Sequence, residues 1–153
     1  MTAVQHTTFV IERELVASPQ HAFRFFSEPA LKLRWNECHP DWKVLEDRFD
    51  FRVGGVEAKR WRTGDGQEQT FLAYYLDIVP AQRIIYAFDM TMRGERVSAS
   101  LATIELKPAA SHTRMLFTEQ MAYLGDARSM QARIDGTGVG FDKLAEVVAV
   151  GVH

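Results

Sequence analysis

The chain has 153 residues, of which 46% are hydrophobic and 25% are charged, and its formal net charge is −2. This size and composition are typical of one globular domain, and we take residues 1–153 as a single domain. The slightly negative charge argues against a general nucleic-acid binder, which would carry a basic surface.

The sequence also indicates a compartment. No apolar run is long enough to span a membrane, and the first residues lack the basic and apolar regions of a signal peptide. The single cysteine, Cys38, has no internal disulfide partner, which agrees with a reducing environment. We therefore expect a cytoplasmic protein that does not insert into membranes.

The first part of the chain predicts one strand followed by two short helices. Phe9 to Val16 mixes β-branched and charged residues, and Phe9, Ile11 and Leu15 share one parity, which indicates a strand with a polar outer side. Ser18 is a predicted N-cap and Pro19 a predicted first helical residue. Pro29 should break or bend this helix, and a second short helix is expected around Leu31 to Trp35, so that the segment forms a V-shaped helical pair or one helix with a break. The apolar stripe of the first helix would consist of Ala22, Phe23, Phe26 and Ala30.

After an irregular stretch from Cys38 to Leu45, the apolar residues alternate with a period of two, which predicts strands. Gly64-Asp65-Gly66 is a strong hairpin signal. Because the connections are short, we expect an antiparallel meander. The predicted strands are Phe49 to Val53, Val56 to Thr63, Thr70 to Val79, Arg83 to Met92, Val97 to Leu106 and Arg114 to Tyr123. Their bulky inner face would contain Ile84, Tyr86, Phe88, Met90, Leu101, Met115 and Phe117.

The last segment, from Ala127 to about Val150, predicts a long amphipathic helix capped by Asp126. Three glycines in its middle would each cost about 1 kcal/mol relative to alanine. Either the helix kinks or starts later, or backbone or ligand approaches closely there. The glycines are Gly136, Gly138 and Gly140. The apolar stripe consists of Met130, Ile134, Thr137, Phe141, Leu144 and Val148.

Two groups of residues could carry chemistry. Glu37, Cys38, His39 and Asp41 are the densest set of potential metal ligands, but adjacent residues point in different directions and no second Cys or His has ligand spacing. We expect no metal and no cofactor, and interpret Cys38 as an inert thiol.

Glu119 is the stronger candidate, because it shares strand parity with Met115 and Phe117 and should point to the apolar side. There a desolvated carboxylate has a raised pKa or needs a cation, for which Arg133, Arg60 and Arg62 are candidates. One interpretation is a strand-end glutamate half in water and paired with arginine. The other is a polar anchor for a ligand, or a general acid or base.

Several segments, in order along the chain, carry a resemblance to a known family. They are Phe49-Asp50-Phe51-Arg52-Val53-Gly54-Gly55, Tyr75-Leu76-Asp77-Ile78-Val79-Pro80, Arg83-Ile84-Ile85-Tyr86, Thr113-Arg114-Met115, Thr118-Glu119-Gln120, Gly136 and Asp142-Lys143-Leu144-Ala145. With the order of elements, they resemble the SRPBCC (START-like, birch-pollen-allergen-like) superfamily, and most of all the branch named for the C-terminal domain of the heat-shock protein 90 ATPase activator, which is polyketide cyclase-like.

The resemblance implies an α+β helix-grip fold, in which a curved antiparallel sheet of six to seven strands wraps around the long C-terminal helix, with two short helices after the first strand. It also implies an apolar cavity between sheet and helix, since superfamily members bind lipids, sterols or polyketides and some catalyse cyclisation or hydrolysis. Where the branch often has Trp after the helix glycine, this chain has Thr137.

Our leading hypothesis is the binding of a small hydrophobic molecule in that cavity, rather than catalysis. The alternative is a cyclase- or hydrolase-like enzyme that uses Glu119 and an arginine, and the third is a chaperone-binding module. A homodimer would use the free sheet edges. The predicted ligand-binding residues are Phe26, Trp35, Trp61, Tyr75, Tyr86, Met90, Phe117, Glu119, Met130, Arg133, Ile134, Thr137 and Phe141.

Overall fold

The computed structural model describes residues 4–37 and 39–150. Within them it contains seven strands and three helices, which confirms the predicted α+β helix-grip architecture. In chain order, the elements are β1 (Val4–Leu15), α1 (Pro19–Ser27), α2 (Pro29–Leu33), β2 (Lys43–Phe49), β3 (Val56–Arg62), β4 (Glu68–Val79), β5 (Arg83–Met92), β6 (Glu95–Ala109), β7 (His112–Leu124) and α3 (Ala127–Val150).

The seven strands form one antiparallel sheet in the order β1-β7-β6-β5-β4-β3-β2. Strands β2 to β7 are a meander, as the short connections predict. Strand β1 lies beside β7, with Val4 opposite Leu124 and Leu15 opposite Thr113. The helices α1 and α2 therefore carry the chain from one edge of the sheet to the other.

Some predicted boundaries are wrong for identifiable reasons. Strand β2 ends at Phe49, because the following residues turn, with Gly54 at φ 84° and its N–H donated to the carbonyl of Tyr75. Strand β2 also begins at Lys43, inside the stretch predicted to be irregular. Strand β6 continues past the predicted break at Pro108, which lies opposite a residue of β7. At this position β6 already extends beyond β5, so the missing N–H of Pro108 faces no neighbouring strand.

The first short helix begins as predicted, whereas the second begins at Pro29, two residues before the predicted start. Ser18 Oγ accepts a hydrogen bond from the His21 N–H at 3.2 Å, and Pro29 opens α2 after a one-residue break. Ala30 was assigned to the apolar stripe of α1 and is exposed, because α1 has already ended at Ser27. Phe25 is buried instead, together with Ala22 and Phe26.

The long helix α3 runs without interruption from Ala127, so the proposed later start is wrong. Its predicted cap is present, since Asp126 Oδ1 accepts the Ser129 N–H at 2.7 Å. The two halves of α3 differ in burial. The C-terminal half contributes Phe141, Leu144 and Val148 to the core, whereas the residues before Phe141 are half-buried or exposed.

The inner face of the sheet is bulky on some strands and small on others. On β6 it is formed by Ser98, Ser100, Ala102 and Ile104, all buried, so the inward assignment of Leu101, which is exposed, is wrong by one residue of register. Ala73 on β4 is also completely buried. Small side chains in the middle of a curved sheet leave space that the helix above does not fill.

Candidate ligand-binding cavity

A cavity of about 730 Å³, partly open to the outside, lies between the sheet and the N-terminal half of α3. Its floor is the inner face of β3 to β7, and its other walls come from α1, α2 and α3. Gly136 and Gly140 border it, and a Cβ atom added at either residue would meet no described atom within 4 Å. A close approach of backbone therefore does not explain these two glycines, and the close approach of a ligand stays a prediction.

Most of the wall is aromatic. Phe141 packs against Phe117 with ring centroids 4.7 Å apart and stacks on Trp35 at 5.7 Å. Trp35 is held in place because its indole N–H donates to the carbonyl of Phe25 at 2.8 Å. Phe88 continues the wall beside Tyr86, at 5.6 Å between centroids. Such a wall offers apolar contact area with little freedom to rearrange.

The sheet register places four residues in one row across the cavity floor. Tyr75 on β4 lies opposite Tyr86 on β5, Tyr86 lies opposite Ala102 on β6, and Ala102 lies opposite Glu119 on β7. Burial raises the pKa of the Tyr86 phenol, which therefore stays protonated. Each end of this row carries an ion pair.

The first ion pair joins Arg133 to Glu119, and Ser100 and Thr137 form hydrogen bonds to it. We call these four residues the Arg133 site. Glu119 Oε2 accepts hydrogen bonds from Ser100 Oγ and from Arg133 Nη2, both at 2.6 Å. Arg133 Nη1 donates to Thr137 Oγ1 at 2.7 Å, and that hydroxyl donates to the carbonyl of Arg133 at 3.1 Å. Thr137 therefore orients the guanidinium.

The inward direction and the arginine pairing of Glu119 agree with the sequence prediction, but its environment does not. Its side chain is 0% exposed, not half in water, because it lies in the interior of β7 with Arg133 above it. Arg60 and Arg62 are not its partners. Arg60 pairs with Glu68 at 2.7 Å near the sheet surface, and Arg62 is exposed.

The second ion pair joins Lys32 to Glu57, and Tyr75 and Lys59 lie beside Glu57. We call these four residues the Lys32 site. Glu57 Oε1 accepts from Lys32 Nζ at 2.5 Å and from the Tyr75 hydroxyl at 2.8 Å, while Lys59 Nζ lies 3.7 Å from Oε2. Burial lowers the pKa of Lys32, against the opposing effect of Glu57. Burial, followed by the Glu57 charge, raises the pKa of Tyr75.

Sequence reasoning missed the Lys32 site, although one signal was present. Trp61 was assigned to the cavity, and Glu57 and Lys59 share its strand parity, so all three should face inward. The structure buries Glu57 and Lys59 on that face. No such signal exists for Lys32, which reaches the site from another element, α2.

Eleven of the thirteen predicted ligand-binding residues border the cavity, and their binding role stays a prediction. They are Phe26, Trp35, Trp61, Tyr75, Tyr86, Met90, Phe117, Glu119, Arg133, Thr137 and Phe141. Met130 and Ile134 do not border it. On α3 the cavity borders Ser129, Ala132, Arg133, Gly136, Thr137, Gly140 and Phe141. At about 100° of rotation per residue, Ile134 lies just outside the arc of the helix that these residues occupy.

The other candidate residues form no comparable site in the described part of the chain. Cys38 lies outside the described residues, and the His39 and Asp41 side chains are exposed. Residues 4–37 and 39–150 contain no group of three or more His, Cys, Asp or Glu side chains arranged to hold a metal ion. None of the helices in these ranges combines the length and apolarity needed to cross a bilayer.

Comparisons with known proteins agree with this architecture. The family model described as "Activator of Hsp90 ATPase homolog 1-like protein" matches residues 16–149. An uncharacterized protein from Rhizobium leguminosarum is 39% identical, with a TM-score of 0.89 over 97% of this chain and 98% of that one. A Rhizobium loti protein is also 39% identical, with a TM-score of 0.86 over 94% and 98%.

A more distant structure, from Chromobacterium violaceum, is 26% identical, with a TM-score of 0.70 over 92% of this chain and 96% of that one. No match was found among curated proteins. The family model covers most of the chain, and the fold is that of the SRPBCC superfamily, which commonly binds hydrophobic ligands. The chain belongs to the Activator of Hsp90 ATPase homolog 1-like family.

Proposed function

We propose that the protein binds a small hydrophobic molecule, such as a lipid or polyketide, between the sheet and α3. The observation that carries this proposal is the partly open cavity of about 730 Å³ with mostly aromatic and apolar walls. Sites for small organic ligands have roughly 300 to 1,000 Å³, apolar linings and a few polar groups. The Lys32 site and the Arg133 site supply those polar groups.

We infer that the cavity opens near the end of the β4–β5 ladder and the start of α3, where it borders exposed residues. Met92 and Leu124 border it there and are large apolar residues with exposed side chains. Deeper in, Ile84, Ile104 and Phe117 form the next row of the floor. A ligand that enters past Met92 would bury its apolar body on this floor, at about 25 cal/mol for each Å² removed from water.

Native mass spectrometry and thermal shift with a panel of lipids and polyketides test the proposal. We expect a retained ligand mass and a raised melting temperature for at least one compound class. Gly140→Leu should abolish both responses, because its side chain would occupy the cavity, while the helix keeps or gains stability. Val139→Leu, an exposed change on the neighbouring residue, is the matched control and should respond like the unmodified protein.

A protein that shows no bound mass and no thermal response to any compound in the panel would contradict the proposal. So would a response that Gly140→Leu leaves unchanged, since binding would then occur elsewhere. The panel therefore tests both whether a ligand binds and where.

A cyclase- or hydrolase-like enzyme is the second candidate, favoured by the arginine beside the cavity. The Arg133 side chain is 12% exposed and has more donors than its two side-chain partners use. A guanidinium in a water-poor site can stabilise charge that develops on a carbonyl oxygen. Glu119 has no exposed surface, so its part would be to hold Arg133 rather than to touch the substrate.

Turnover of an identified substrate by Glu119→Gln tests this candidate. We expect a loss of rate that follows the loss of Arg133 positioning. Unchanged turnover would dispose of the assignment.

Binding to a chaperone is the third candidate and rests on the family description alone. A pull-down with Hsp90 tests it, and native mass spectrometry tests the predicted homodimer.

A further inference from the structure

The two ion pairs of the cavity are built in the same way. In each, a strand supplies the carboxylate and a helix supplies the cation. Glu57 of β3 pairs with Lys32 of α2, and Glu119 of β7 pairs with Arg133 of α3. The side chains of Lys32 and Arg133 are 14% and 12% exposed, whereas those of Glu57 and Glu119 are 3% and 0% exposed. Both carboxylates border the cavity but have almost no exposed surface, so a ligand meets mainly the cations.

The two sites differ in their charge balance. In the Arg133 site, one arginine faces one glutamate. In the Lys32 site, two lysines, the buried Lys59 and the mostly buried Lys32, face Glu57 alone. Asp47 lies opposite Lys59 on β2, but it is exposed, so that water screens its charge. The Lys32 site thus carries one buried positive charge without a buried counter-ion.

Lys32 also has a donor to spare. Its ammonium group has three N–H donors, and Glu57 Oε1 and the Tyr75 oxygen, at 2.5 and 3.3 Å, take two of them. Its charge also lies 4.5 Å from the centroid of the Phe49 ring, a contact that helps to hold the side chain in place. An anionic oxygen that enters the cavity could accept the third hydrogen bond and supply the missing negative charge.

We propose that the ligand is an apolar acid, whose carboxylate binds Lys32 and whose hydrocarbon or ring body crosses the floor over Tyr86 toward Arg133. This inference rests on the proposed binding function and adds the chemical class of the ligand. The row from Tyr75 to Glu119 spans three strand spacings, or about 14 Å along the sheet, which is the length of floor that the body can cover.

Three probes with the same chain and different head groups test the inference: dodecanoate, dodecanol and dodecylamine. Tryptophan fluorescence reports binding, because Trp35 and Trp61 border the cavity. We expect dodecanoate to bind at least about tenfold more tightly than dodecanol, as a charge-assisted hydrogen bond provides, and dodecylamine to bind most weakly. Lys32→Gln should remove the preference for the acid and keep the binding of the alcohol.

Lys107→Gln is the matched control, since Lys107 is an exposed lysine on β6, and it should keep the full preference. If Lys32→Gln fails to fold because Glu57 loses its nearer cation, Lys32→Met with Glu57→Gln and Lys59→Met removes all three charges together and should bind dodecanol as the unmodified protein does. This triple variant should show no preference for dodecanoate.

The two proposals fail in different ways. The proposal of an acidic ligand is overturned if the unmodified protein binds dodecanoate and dodecanol equally, or if the preference for dodecanoate survives in the Lys32 variants. Either result leaves the proposed binding function intact. Binding of none of the three probes, together with no response to the lipid and polyketide panel, overturns the binding function and the acid with it.

Discussion

The two halves of α3 have the same secondary structure and different tasks. The C-terminal half packs Phe141, Leu144 and Val148 into the core, where the last two have no exposed surface. The N-terminal half borders the cavity with two glycines and Arg133. One continuous helix therefore serves as core at one end and as cavity wall at the other, and the transition lies near Phe141, which belongs to both.

This difference shows how a cavity persists next to a packed core. Packing stabilises the C-terminal half and fixes the position of the whole helix, so that the N-terminal half can leave space unfilled. The ion pair of Arg133 and Glu119 then holds the helix to the sheet where apolar contacts are few. Four substitutions test this division, from the largest expected effect to the smallest.

Arg133→Met should lower the free energy of unfolding by about 3 to 5 kcal/mol, because it leaves the Glu119 carboxylate buried without a cation. Urea denaturation followed by tryptophan fluorescence measures the loss. The control is Arg13→Met, which breaks an ion pair with the exposed Asp142 on the C-terminal half and should cost at most about 1 kcal/mol. Equal losses would mean that the buried pair does not hold the N-terminal half in place.

Leu144→Ala should cost about 3 kcal/mol, because the side chain is completely buried and its removal leaves a void. Ile134→Ala in the N-terminal half is the matched change at a half-buried residue, and we expect a loss of about 1 kcal/mol. The same denaturation measurement compares them. A loss for Ile134→Ala as large as that for Leu144→Ala would show that the two halves are packed alike.

Thr137→Val keeps the branched shape and removes the hydroxyl that accepts from Arg133 Nη1. We expect a loss of about 1 kcal/mol, as for one partly buried hydrogen bond. Because the guanidinium loses its orientation, the variant should also bind a ligand less well if that ligand contacts Arg133. A variant with unchanged stability would show that Glu119 alone fixes the arginine.

Gly136→Ala should raise the free energy of unfolding by about 0.5 to 1 kcal/mol, because alanine favours the helix and its Cβ meets open space. The control is Gly55→Ala, whose added Cβ would lie 2.1 Å from the Asp50 carbonyl oxygen and should destabilise the protein. Thermal unfolding measures both. A lower melting temperature for Gly136→Ala would mean that the helix needs the glycine for its own geometry.

The architecture could be predicted from the sequence because apolar periodicity reports which faces are buried. The alternation that placed Glu119 with Met115 and Phe117 holds along all of β7. The same reasoning failed for Met130 and Ile134. Of the four stripe residues that it assigned to the ligand, only Thr137 and Phe141 border the cavity, beside small and polar residues from outside the stripe. A wall that borders empty space does not need to be apolar at every position.

The Lys32 site could be predicted only in part. Strand parity indicates that Glu57 points inward, but its partner Lys32 is 25 residues away on a separate helix. Local patterns do not report which helix crosses which strand. That meeting depends on the path of α1 and α2 across the sheet, which is fixed by tertiary packing.

The pairing of β1 with β7 has a consequence for folding kinetics. Gln5 Nε2 donates to the carbonyl of Gly125, 120 residues away, whereas the meander from β2 to β7 forms by successive hairpins. Because distant contacts carry the larger loop-closure cost, we expect the meander to form first and β1 and α3 to dock afterwards. The cavity then exists only after the final step, so a ligand should slow unfolding and leave the folding rate almost unchanged.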